Sequence, residues 1–351
     1  MNSRTGKIAS VLKKKQLYFI SNPSDVFYLS GYTGTFGKII VSRGKAAFIT
    51  DPRYEGMIRN SPIAKDFEVM ITKNYHADLL LMIKGSVVLL NRNTSLIEYL
   101  LINGNSDGVI MDSALNSLRM IKDAQEIALI RKSVAITEKA MKHTAKILKA
   151  GITELDLSLE FDYYSRKEGA EGVSFTPIIA FNENGAVPHH ATSSRKLKKN
   201  TLVLVDAGVR YKGYASDLTR VFAFGIIQPL LRQIQKHCGS VLLAKKTALL
   251  SYKAGVMIKE ADLAARNCLA KDGLDKYFTH SLGHGMGIDV HEPPSVNQKE
   301  ELKFQEGMVL SCEPGVYFEN KYGIRIEDDY LITDKGADKL GSFSDSLIIC
   351  D

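Results

Sequence analysis

Histidines, acidic residues and glycines concentrate in the segment from residue 280 to residue 327. The segment opens with HSLGHGMGIDVHEPP and closes with SCEPG and GIRIED, and two aspartates stand upstream in VLVDAGVRYKGYASDLTR. Imidazole nitrogens and carboxylate oxygens are common ligands of divalent metal ions, and glycines let the backbone approach closely. The pattern therefore predicts a metal site. Its candidate residues are Asp206, Asp217, His280, His284, His291, Glu313 and Glu327.

Asp206 and Asp217 lie on two apolar segments that a turn-like stretch separates. Facing residues of an antiparallel hairpin have a constant sum of residue numbers. The two aspartates are therefore directly opposite if the turn centres between Tyr211 and Lys212. Both carboxylates would then project from the same face of the hairpin, because alternate strand residues share a face.

Glu313 and Glu327 form a second predicted pair, across a turn centred on Asn320. Directly opposed side chains have Cβ atoms about 4.5–5.5 Å apart, and like charges there are destabilising. Two such acidic pairs become favourable if cations lie between them. Four carboxylates and one imidazole form an oxygen-rich set that suits Mn²⁺, Co²⁺, Fe²⁺ or Zn²⁺. Two metals about 3.5–4 Å apart can hold a hydroxide for hydrolysis.

These motifs resemble those of the pita-bread metallopeptidases, which include Xaa-Pro dipeptidases (prolidases), aminopeptidases P and methionine aminopeptidases. The resemblance rests on VDAG with SDLTR, HSLGHGMGIDVHE, SCEPG and GIRIED, and it covers the C-terminal two thirds of the chain. It implies an α+β architecture. A C-terminal pita-bread (creatinase/aminopeptidase) fold with pseudo-twofold duplicated halves would span residues 119–351, preceded by a smaller α/β creatinase-like domain over residues 1–118.

The N-terminal part narrows the substrate class that the resemblance implies. Its segments SNPSDVFYLSGYTG and TDPRY resemble the N-terminal domain of prolidases and aminopeptidases P, which methionine aminopeptidases lack. The implied enzyme is therefore a hydrolase that cleaves Xaa-Pro bonds in dipeptides or in short peptides with proline second.

The resemblance also implies a metal-binding role for five residues, which would hold two divalent ions (Mn, Co, Zn or Fe). These ligands are Asp206, Asp217, His284, Glu313 and Glu327. Asp217 and Glu327 would bridge the two ions. Glu313 would in addition accept a proton from the metal-bound water, which becomes the attacking hydroxide. It would then pass this proton to the leaving nitrogen.

Three histidines complete the implied catalytic set. His189, in the PHH sequence, and His291, directly before a glutamate, would hold the substrate carbonyl and the tetrahedral oxyanion. His280 matches a further active-site histidine. Arg325 lies two positions before Glu327 and hence on the same strand face, where it would support the carboxylates.

Two departures from the family pattern leave the substrate open. Phe181-Asn182 stand where the family usually has Ser-Gly, which bears on the shape of the pocket. Ser295 stands where several prolidases place an arginine that grips the dipeptide's carboxylate, so dipeptidase and aminopeptidase P both remain. Another aminopeptidase specificity and a non-catalytic pita-bread binding module are the alternatives. Such binding modules typically lose several ligands, and all five are present here.

The composition is that of a soluble globular enzyme. The chain has 351 residues, of which 45% are hydrophobic and 24% charged, and this length favours two domains. No apolar run approaches the ~20 residues that span a membrane, and no signal peptide is recognisable. The net charge of +7 comes from dispersed basic residues, so no nucleic-acid partner is expected. Four scattered cysteines fit a cytoplasmic protein. The resemblance implies a homodimer whose N-terminal domains help to enclose the cleft.

The elements that must position the site can be predicted in outline. Apolar patterning predicts N-terminal strands at residues 17–21, 46–50, 67–71 and 87–90. A long helix is predicted from about residue 118 to Gly151, followed by a helix over Glu154 to Glu168 with Thr153 as its N-cap. LKAGITELDL around Gly151 resembles YKAGVMIKEADL around Gly255, which supports an internal duplication.

Overall fold

The protein is described by a computed structural model, which covers residues 1–350. The chain forms two compact units, Met1–Arg119 and a second unit that begins at Met120. Of the helices within residues 1–350, none combines the length and the apolarity needed to cross a lipid bilayer.

The first unit is an α/β unit with a mixed sheet. Its strands are β1 (Gln16–Ile20), β2 (Lys38–Ser42), β3 (Lys45–Thr50), β4 (Glu68–Ile71), β5 (Val87–Asn91) and β6 (Gly108–Asp112). Its helices are α1 (Ser3–Val11), α2 (Pro23–Ser30), α3 (Glu55–Arg59), α4 (Ile63–Asp66), α5 (Tyr75–Ile83), α6 (Leu96–Asn103) and α7 (Ala114–Met120). The strand order is β4-β3-β2-β1-β5-β6. The four predicted strands are confirmed, because they agree with β1, β3, β4 and β5 to within one residue at each end.

Within residues 120–350, the second unit carries four long helices and fourteen short strands. The helices are α8 (Ala124–Lys146), α9 (Glu154–Lys167), α10 (Leu230–Leu249) and α11 (Ile258–Ala270). The first six strands are β7 (Gly172–Val173), β8 (Ile178–Phe181), β9 (Thr201–Ala207), β10 (Val209–Tyr211), β11 (Tyr214–Ala215) and β12 (Leu218–Phe224). The remaining strands are β13 (Gly283–Gly285), β14 (Glu292–Val296), β15 (Val309–Cys312), β16 (Gly315–Phe318), β17 (Tyr322–Arg325), β18 (Asp328–Ile332), β19 (Ala337–Lys339) and β20 (Ile348–Cys350).

Within the described residues, these strands form four small sheets. Their orders are β11-β10-β7, β20-β12-β9-β8, β14-β13-β15-β18-β19 and β16-β17. All seven residues of β9 and all seven of β12 are buried, so both faces of this antiparallel pair are covered. An antiparallel bridge between Thr219 and Glu327 links β12 to the start of β18. Polar residues on these buried strands therefore lie inside the unit, away from bulk water.

The prediction of one long helix ending at Gly151 is wrong. The short helix α7 is separate, and α8 begins only after Asp123. The Asp123 carboxylate accepts the N–H of Glu126, and the Glu126 carboxylate accepts the N–H of Asp123. This capping box satisfies two N–H groups at the start of the helix and fixes its first turn. The helix α8 ends at Lys146, before the glycine.

The predicted start of the next helix is confirmed, and it belongs to a repeated junction. Thr153 caps α9. The N–H of Gly151 donates to the carbonyl of Leu197, and the N–H of Gly255 donates to the carbonyl of Phe304, both at 2.9 Å. The two glycines have φ values of +92° and +91°. The sequence repeat therefore corresponds to matching hydrogen bonds at the start of α9 and of α11.

Candidate active site

All the predicted site residues line one cavity of about 540 Å³ in the second unit. The five predicted metal ligands there are Asp206, Asp217, His284, Glu313 and Glu327, and the three further histidines are His189, His280 and His291. The five predicted ligands come from β9, from the segment before β12, from β13, and from the connections on either side of the β16–β17 hairpin, whereas the three histidines lie outside the strands. The tertiary fold, and not the local sequence, therefore brings together residues that are distant in sequence.

The prediction that Asp206 and Asp217 face each other directly is wrong by two residues. Asp206 on β9 pairs with Thr219 on β12. The turn is centred later than predicted because Lys212 and Gly213 both have positive φ, +47° and +82°, as two-residue hairpin turns of the primed type require. A shift of two positions preserves the face of a strand. Both carboxylates therefore still point into the same cavity.

The second predicted pair, Glu313 and Glu327, is confirmed in its register. The turn of the β16–β17 hairpin is centred on Asn320, which has a φ of +56°. The β15–β18 ladder continues in the same register and pairs Cys312 with Asp328. Glu313 and Glu327 lie between these two ladders and are therefore opposite each other. Their carboxylates approach from facing chain segments.

The side chains of Asp217, His284 and Glu327 form a close group. One ligand atom from each lies within 4.8 Å of the ligand atoms of the other two. The imidazole Nε2 of His284 is 3.7 Å from Asp217 Oδ2 and 3.3 Å from Glu313 Oε1. The Ser311 hydroxyl donates to the same Glu313 oxygen at 3.2 Å. One imidazole nitrogen thus lies within 3.7 Å of two carboxylates.

Arg325 is buried and connects several groups of the site. Its Nη2 donates to Asp206 Oδ2 at 2.5 Å, and its Nη1 donates to the Tyr317 hydroxyl at 2.7 Å. Its Nε donates to Thr219 Oγ1 at 3.0 Å, and that hydroxyl donates to Glu327 Oε2 at 2.6 Å. The guanidinium holds Asp206 directly and Glu327 through a hydroxyl. Its single positive charge is smaller than the combined charge of the four carboxylates around it.

Burial and mutual repulsion shift the pKa values of the site carboxylates. Burial raises the pKa of Asp217 well above its ordinary value, and the charges of Glu327 and Asp206 add to the shift. Burial and the charge of Glu313 do the same to the pKa of Glu327. Burial also raises the pKa of Glu313, but the hydrogen bond and charge of His284 outweigh it and lower the pKa to about 2. Burial lowers the pKa of His284, while Glu313 reverses the effect and raises it.

Divalent cations fit this arrangement. Within residues 1–350, the buried oxygens Oδ1 of Asp206 and Oδ1 of Asp217 accept no hydrogen bond. Leaving a buried acceptor unsatisfied costs about 1–3 kcal/mol, and a cation supplies the missing partner. Carboxylate oxygens with one imidazole nitrogen are suitable ligands for hard or borderline cations. A cation also removes the repulsion that raises the pKa values of Asp217 and Glu327.

His280 is fixed in one tautomer by its two neighbours. Its Nδ1 lies 2.8 Å from the carbonyl oxygen of Ser281, and its Nε2 lies 2.8 Å from the hydroxyl of Tyr317. Because a carbonyl only accepts, Nδ1 carries the proton and donates, and Nε2 accepts from the tyrosine. Burial lowers the pKa of His280, which agrees with a neutral ring. His280 therefore belongs to the hydrogen-bond network of Tyr317 and Arg325.

His189 and His291 lie at the exposed part of the cavity wall. The ring of His291 is tilted against that of His284, with centroids 4.3 Å apart. Burial and the neighbouring charge of His284 lower the pKa of His291. Both histidines thus combine access to solvent with a position in the wall of the cavity that the carboxylates line, as a substrate-contacting group requires.

The sequence matches a family model over most of this unit. The model of metallopeptidase family M24 matches residues 128–334. The chain belongs to metallopeptidase family M24. The model of the creatinase/prolidase N-terminal domain matches residues 4–92. These matches confirm the predicted fold class, a pita-bread fold preceded by a smaller N-terminal domain.

Relatives of the M24 chain match it over almost its full length. A protein of Pyrococcus horikoshii named Xaa-Pro dipeptidase is 33% identical over 353 residues, which cover 99% of each chain. The crystal structure of the prolidase from Pyrococcus horikoshii has a TM-score of 0.92 with 30% identity and covers 99% of this chain and 100% of that one. The X-Pro aminopeptidase from Thermotoga maritima has a TM-score of 0.88 with 31% identity and the same coverage.

Two further residues of the M24 site were not predicted from the sequence. Asp329 is buried, and its Oδ2 accepts the N–H of Asp217 at 3.0 Å. It lies two residues after Glu327 on the same strand, so alternation would have placed it on the same face. Thr219 joins Arg325 to Glu327 through its hydroxyl. Its role follows only from the correct hairpin register, which the spacing of the aspartates did not give.

Proposed function

We propose that this M24 chain is a metal-dependent peptidase that cleaves Xaa-Pro bonds in dipeptides or short peptides. The observation that carries the proposal is the meeting of Asp217, His284 and Glu327 ligand atoms within 4.8 Å of one another. Proline specificity is supported by relatives of the same length named Xaa-Pro dipeptidase. The match to the creatinase/prolidase N-terminal domain supports it as well. A non-catalytic binding module is not favoured, because the complete ligand set lines one cavity.

The five ligands would hold two divalent cations, which we assign to Mn²⁺, Co²⁺, Zn²⁺ or Fe²⁺. When bound, the cations polarise the substrate carbonyl and lower the pKa of a water molecule. Asp206 would offer its free Oδ1 to a cation, because Arg325 occupies the other oxygen. Asp217 likewise offers its free Oδ1. The backbone N–H that Asp217 donates to Asp329 orients the segment from which the Asp217 side chain projects.

Glu313 is the proposed proton carrier. Its Oε1 is engaged by Ser311 and lies beside His284, so Oε2 is assigned to proton transfer. The lowered pKa keeps Glu313 ionised at neutral pH, and an ionised carboxylate can accept the proton of the attacking water. The same proton then passes to the leaving nitrogen. This transfer is necessary because an amide nitrogen leaves only when it is protonated, and the proline nitrogen of a tertiary amide carries no hydrogen beforehand.

His189 and His291 are the proposed donors to the substrate carbonyl oxygen and to the oxyanion that develops from it. A neutral imidazole carries one N–H, and the lowered pKa of His291 keeps that ring neutral at pH 7. Removing one oxyanion donor typically lowers the rate about 10²–10³-fold. His280 is proposed to act indirectly: it accepts a hydrogen bond from the Tyr317 hydroxyl, to which Arg325 also donates.

The cavity does not favour a strict requirement for a dipeptide. Arg325 lines it, but its guanidinium is bound to Asp206. Ser295 also lines the cavity, and it carries no charge for a free substrate carboxylate. Among the described lining residues, no other lysine or arginine is present. We therefore expect both Ala-Pro and a longer peptide such as Ala-Pro-Ala to be cleaved.

The domain boundary, the assembly and the location complete the proposal. Residues 1–118 are assigned to a creatinase-like domain and residues 119–351 to the catalytic domain, which the separation of two compact units after Arg119 supports. We assign the protein to the cytoplasm, which its four scattered cysteines support. The proposed assembly is a homodimer, for which light scattering after size exclusion should give about twice the chain mass of 38.9 kDa.

The test measures proline release by protein that has been stripped with a chelator and reloaded with one cation at a time. The expected result is release from Ala-Pro and Met-Pro after addition of Mn²⁺ or another of the four cations, and cleavage of Ala-Pro-Ala before proline. Ala-Ala serves as the substrate control, and Asp217→Ala as the protein control. A wild-type protein that binds the cation but cleaves none of these peptides would support the binding module instead.

A further inference from the structure

A buried carboxylate outside the ligand set, Glu154, contacts the segment that carries His189. Glu154 is the first residue of α9, directly after the N-cap Thr153, and its side chain is completely buried. The segment it contacts, residues 182–193, is here named the His189 segment. This segment contains one short 3₁₀ turn at Asn182–Ala186 and no regular strand, so its conformation depends on side-chain contacts.

Both oxygens of the Glu154 carboxylate are used to hold this segment. Oε1 accepts from the N–H of Phe181 and from Asn184 Nδ2, both at 2.8 Å. Oε2 accepts from the N–H of Ser193 at 3.0 Å and from its hydroxyl at 2.6 Å. His190 Nε2 completes the set at 3.0 Å. The five donors span the His189 segment from the residue before its start to its last residue.

The backbone at the start of α9 is also hydrogen-bonded to the end of this segment and to the residues directly after it. The N–H of Leu155 donates to the carbonyl of Ser193 at 3.0 Å, and the N–H of Glu154 donates to the carbonyl of Arg195 at 3.1 Å. Between the anchors at Asn184 and His190, the chain bulges outward, and Val187 is 53% exposed. The exposed tip is therefore short, and both of its ends are tied to one carboxylate.

The charge state of Glu154 agrees with this role. Burial raises its pKa, but the hydrogen bonds from Ser193, His190 and Asn184 outweigh burial and lower the pKa below the ordinary value. An ionised acceptor makes stronger hydrogen bonds than a neutral one. The anchors therefore persist at neutral pH.

The position of His189 makes the anchor relevant to the cavity. His189 lines the cavity, and the next residue along the chain, His190, is one of the five donors to Glu154. The backbone of a residue directly before an anchored neighbour has little freedom. A displacement of about 1 Å of a substrate-contacting group can lower a rate about 100-fold.

We propose that Glu154 is a positioning residue: it fixes the His189 segment so that the imidazole of His189 stays at the cavity wall beside the scissile bond. The kinetic part of this inference rests on the proposed Xaa-Pro activity. The structural part, a segment held in place by one carboxylate, does not. The two parts are tested by different measurements.

Hydrogen exchange tests the structural part. Glu154→Gln replaces one carboxylate oxygen by an NH2 group, which cannot accept a hydrogen bond. Part of the donor set therefore loses its acceptor. Amides of residues 182–193 should exchange at least about tenfold faster in this variant. Asp156→Asn is the matched control. Asp156 lies in the same first turn of α9, and its carboxylate accepts from the N–H of Thr153, which lies outside the His189 segment. Unchanged protection of the segment in Glu154→Gln would overturn the proposal.

A double-mutant cycle tests the kinetic part. Glu154→Gln should lower kcat about tenfold with unchanged metal content, and His189→Ala should lower it about 10²-fold, as expected for an oxyanion donor. If Glu154 acts through His189, adding Glu154→Gln to His189→Ala changes kcat less than about twofold. An equal loss in both backgrounds would show a role independent of His189 and overturn the proposal.

Two further comparisons keep the outcomes separate. Ser193→Ala removes one of the five donors, and should give a smaller increase in exchange and the same non-additivity with His189→Ala, even if Glu154→Gln does not fold. If the wild-type protein cleaves no Xaa-Pro bond, the proposed function and the kinetic part of this inference both fail. Exchange in Glu154→Gln still decides whether the carboxylate holds the segment.

Discussion

The guanidinium of Arg325 lies 2.5 Å from the carboxylate of Asp206, and both side chains are at least nine-tenths buried. The pair leaves the second oxygen of Asp206 free within the described chain, facing a cavity that three other carboxylates share. The positive charge of this guanidinium thus stabilises the four carboxylates in part. The negative charge that remains favours the binding of metal ions.

Loss of this guanidinium is expected to destabilise the metal-free protein. Arg325→Met leaves the Asp206 carboxylate buried without a cationic partner, which costs about 3–5 kcal/mol for a buried pair. Urea unfolding of the stripped protein measures the loss. Arg166→Met is the control, because the exposed pair of Arg166 with Asp162 should contribute only about 0.3–0.5 kcal/mol. Equal effects of the two substitutions would contradict the role given to Arg325.

The Thr219 hydroxyl should matter for metal affinity. Thr219→Val keeps the shape but removes the donor to Glu327 and the acceptor for Arg325. Loss of a residue that orients a metal ligand typically lowers metal affinity about 10–100-fold, which titration of the stripped protein with Mn²⁺ measures. The control is Thr144→Val, a buried threonine whose hydroxyl donates to the Ala140 carbonyl within α8. Wild-type affinity in Thr219→Val would show that Glu327 needs no such support.

His291 should affect the rate and not the metal content. His291→Ala removes a proposed oxyanion donor but no proposed ligand, so kcat should fall about 10²–10³-fold. Inductively coupled plasma analysis should find the same metal content as in the wild type. Intact turnover would remove His291 from the mechanism. A parallel loss of metal would reassign it to the ligands.

The stability of the metal-free protein should fall as the pH rises. The pKa values of Asp217 and Glu327 are raised by folding, so their contribution to stability is complete below about pH 4, near the ordinary carboxyl pKa, and is lost as the pH rises toward the folded values. The pKa of Asp328 is shifted the other way, since Lys245 and Arg220 outweigh the effect of burial. Its contribution is lost only as the pH falls into the acid range.

Added cations should reverse this loss, and more so at pH 7.5 than at pH 5. Metal ions bind the deprotonated carboxylates and the neutral imidazole, so protons compete with them at low pH. At 100 times the dissociation constant, a cation adds about 2.7 kcal/mol to the free energy of unfolding. The melting temperature measured with and without Mn²⁺ at both pH values provides the test. A larger increase at pH 5 would contradict the assignment of these carboxylates as ligands.

The sequence was sufficient to select candidate ligands that line one cavity, because their residue types and flanking glycines are themselves the signal. The second hairpin was predictable to the residue, since an asparagine at its centre tolerates the positive φ of +56° that the turn requires. The first hairpin was not, because its turn uses Lys212, a residue with no such preference. The error was two residues, an even number, so Asp206 and Asp217 still share a face. In the first hairpin, spacing alone therefore predicted the face of each carboxylate and not its partner.

Other features depend on contacts that sequence spacing does not reveal. The start of α8 is set by the capping box of Asp123 and Glu126, which an apolar pattern running through both residues conceals. Glu154 and His190 are 36 residues apart and meet only because the His189 segment folds back over the start of α9. Such pairs become visible once the tertiary structure is known.

The most direct test of the metal centre is anomalous X-ray scattering at the manganese edge from crystals of protein loaded with Mn²⁺. Two peaks are predicted in the cavity, each within about 2.0–2.5 Å of its ligand atoms, with Asp217 and Glu327 contacting both. Absence of any peak among these residues, in crystals of protein that still releases proline from Ala-Pro, would contradict the account.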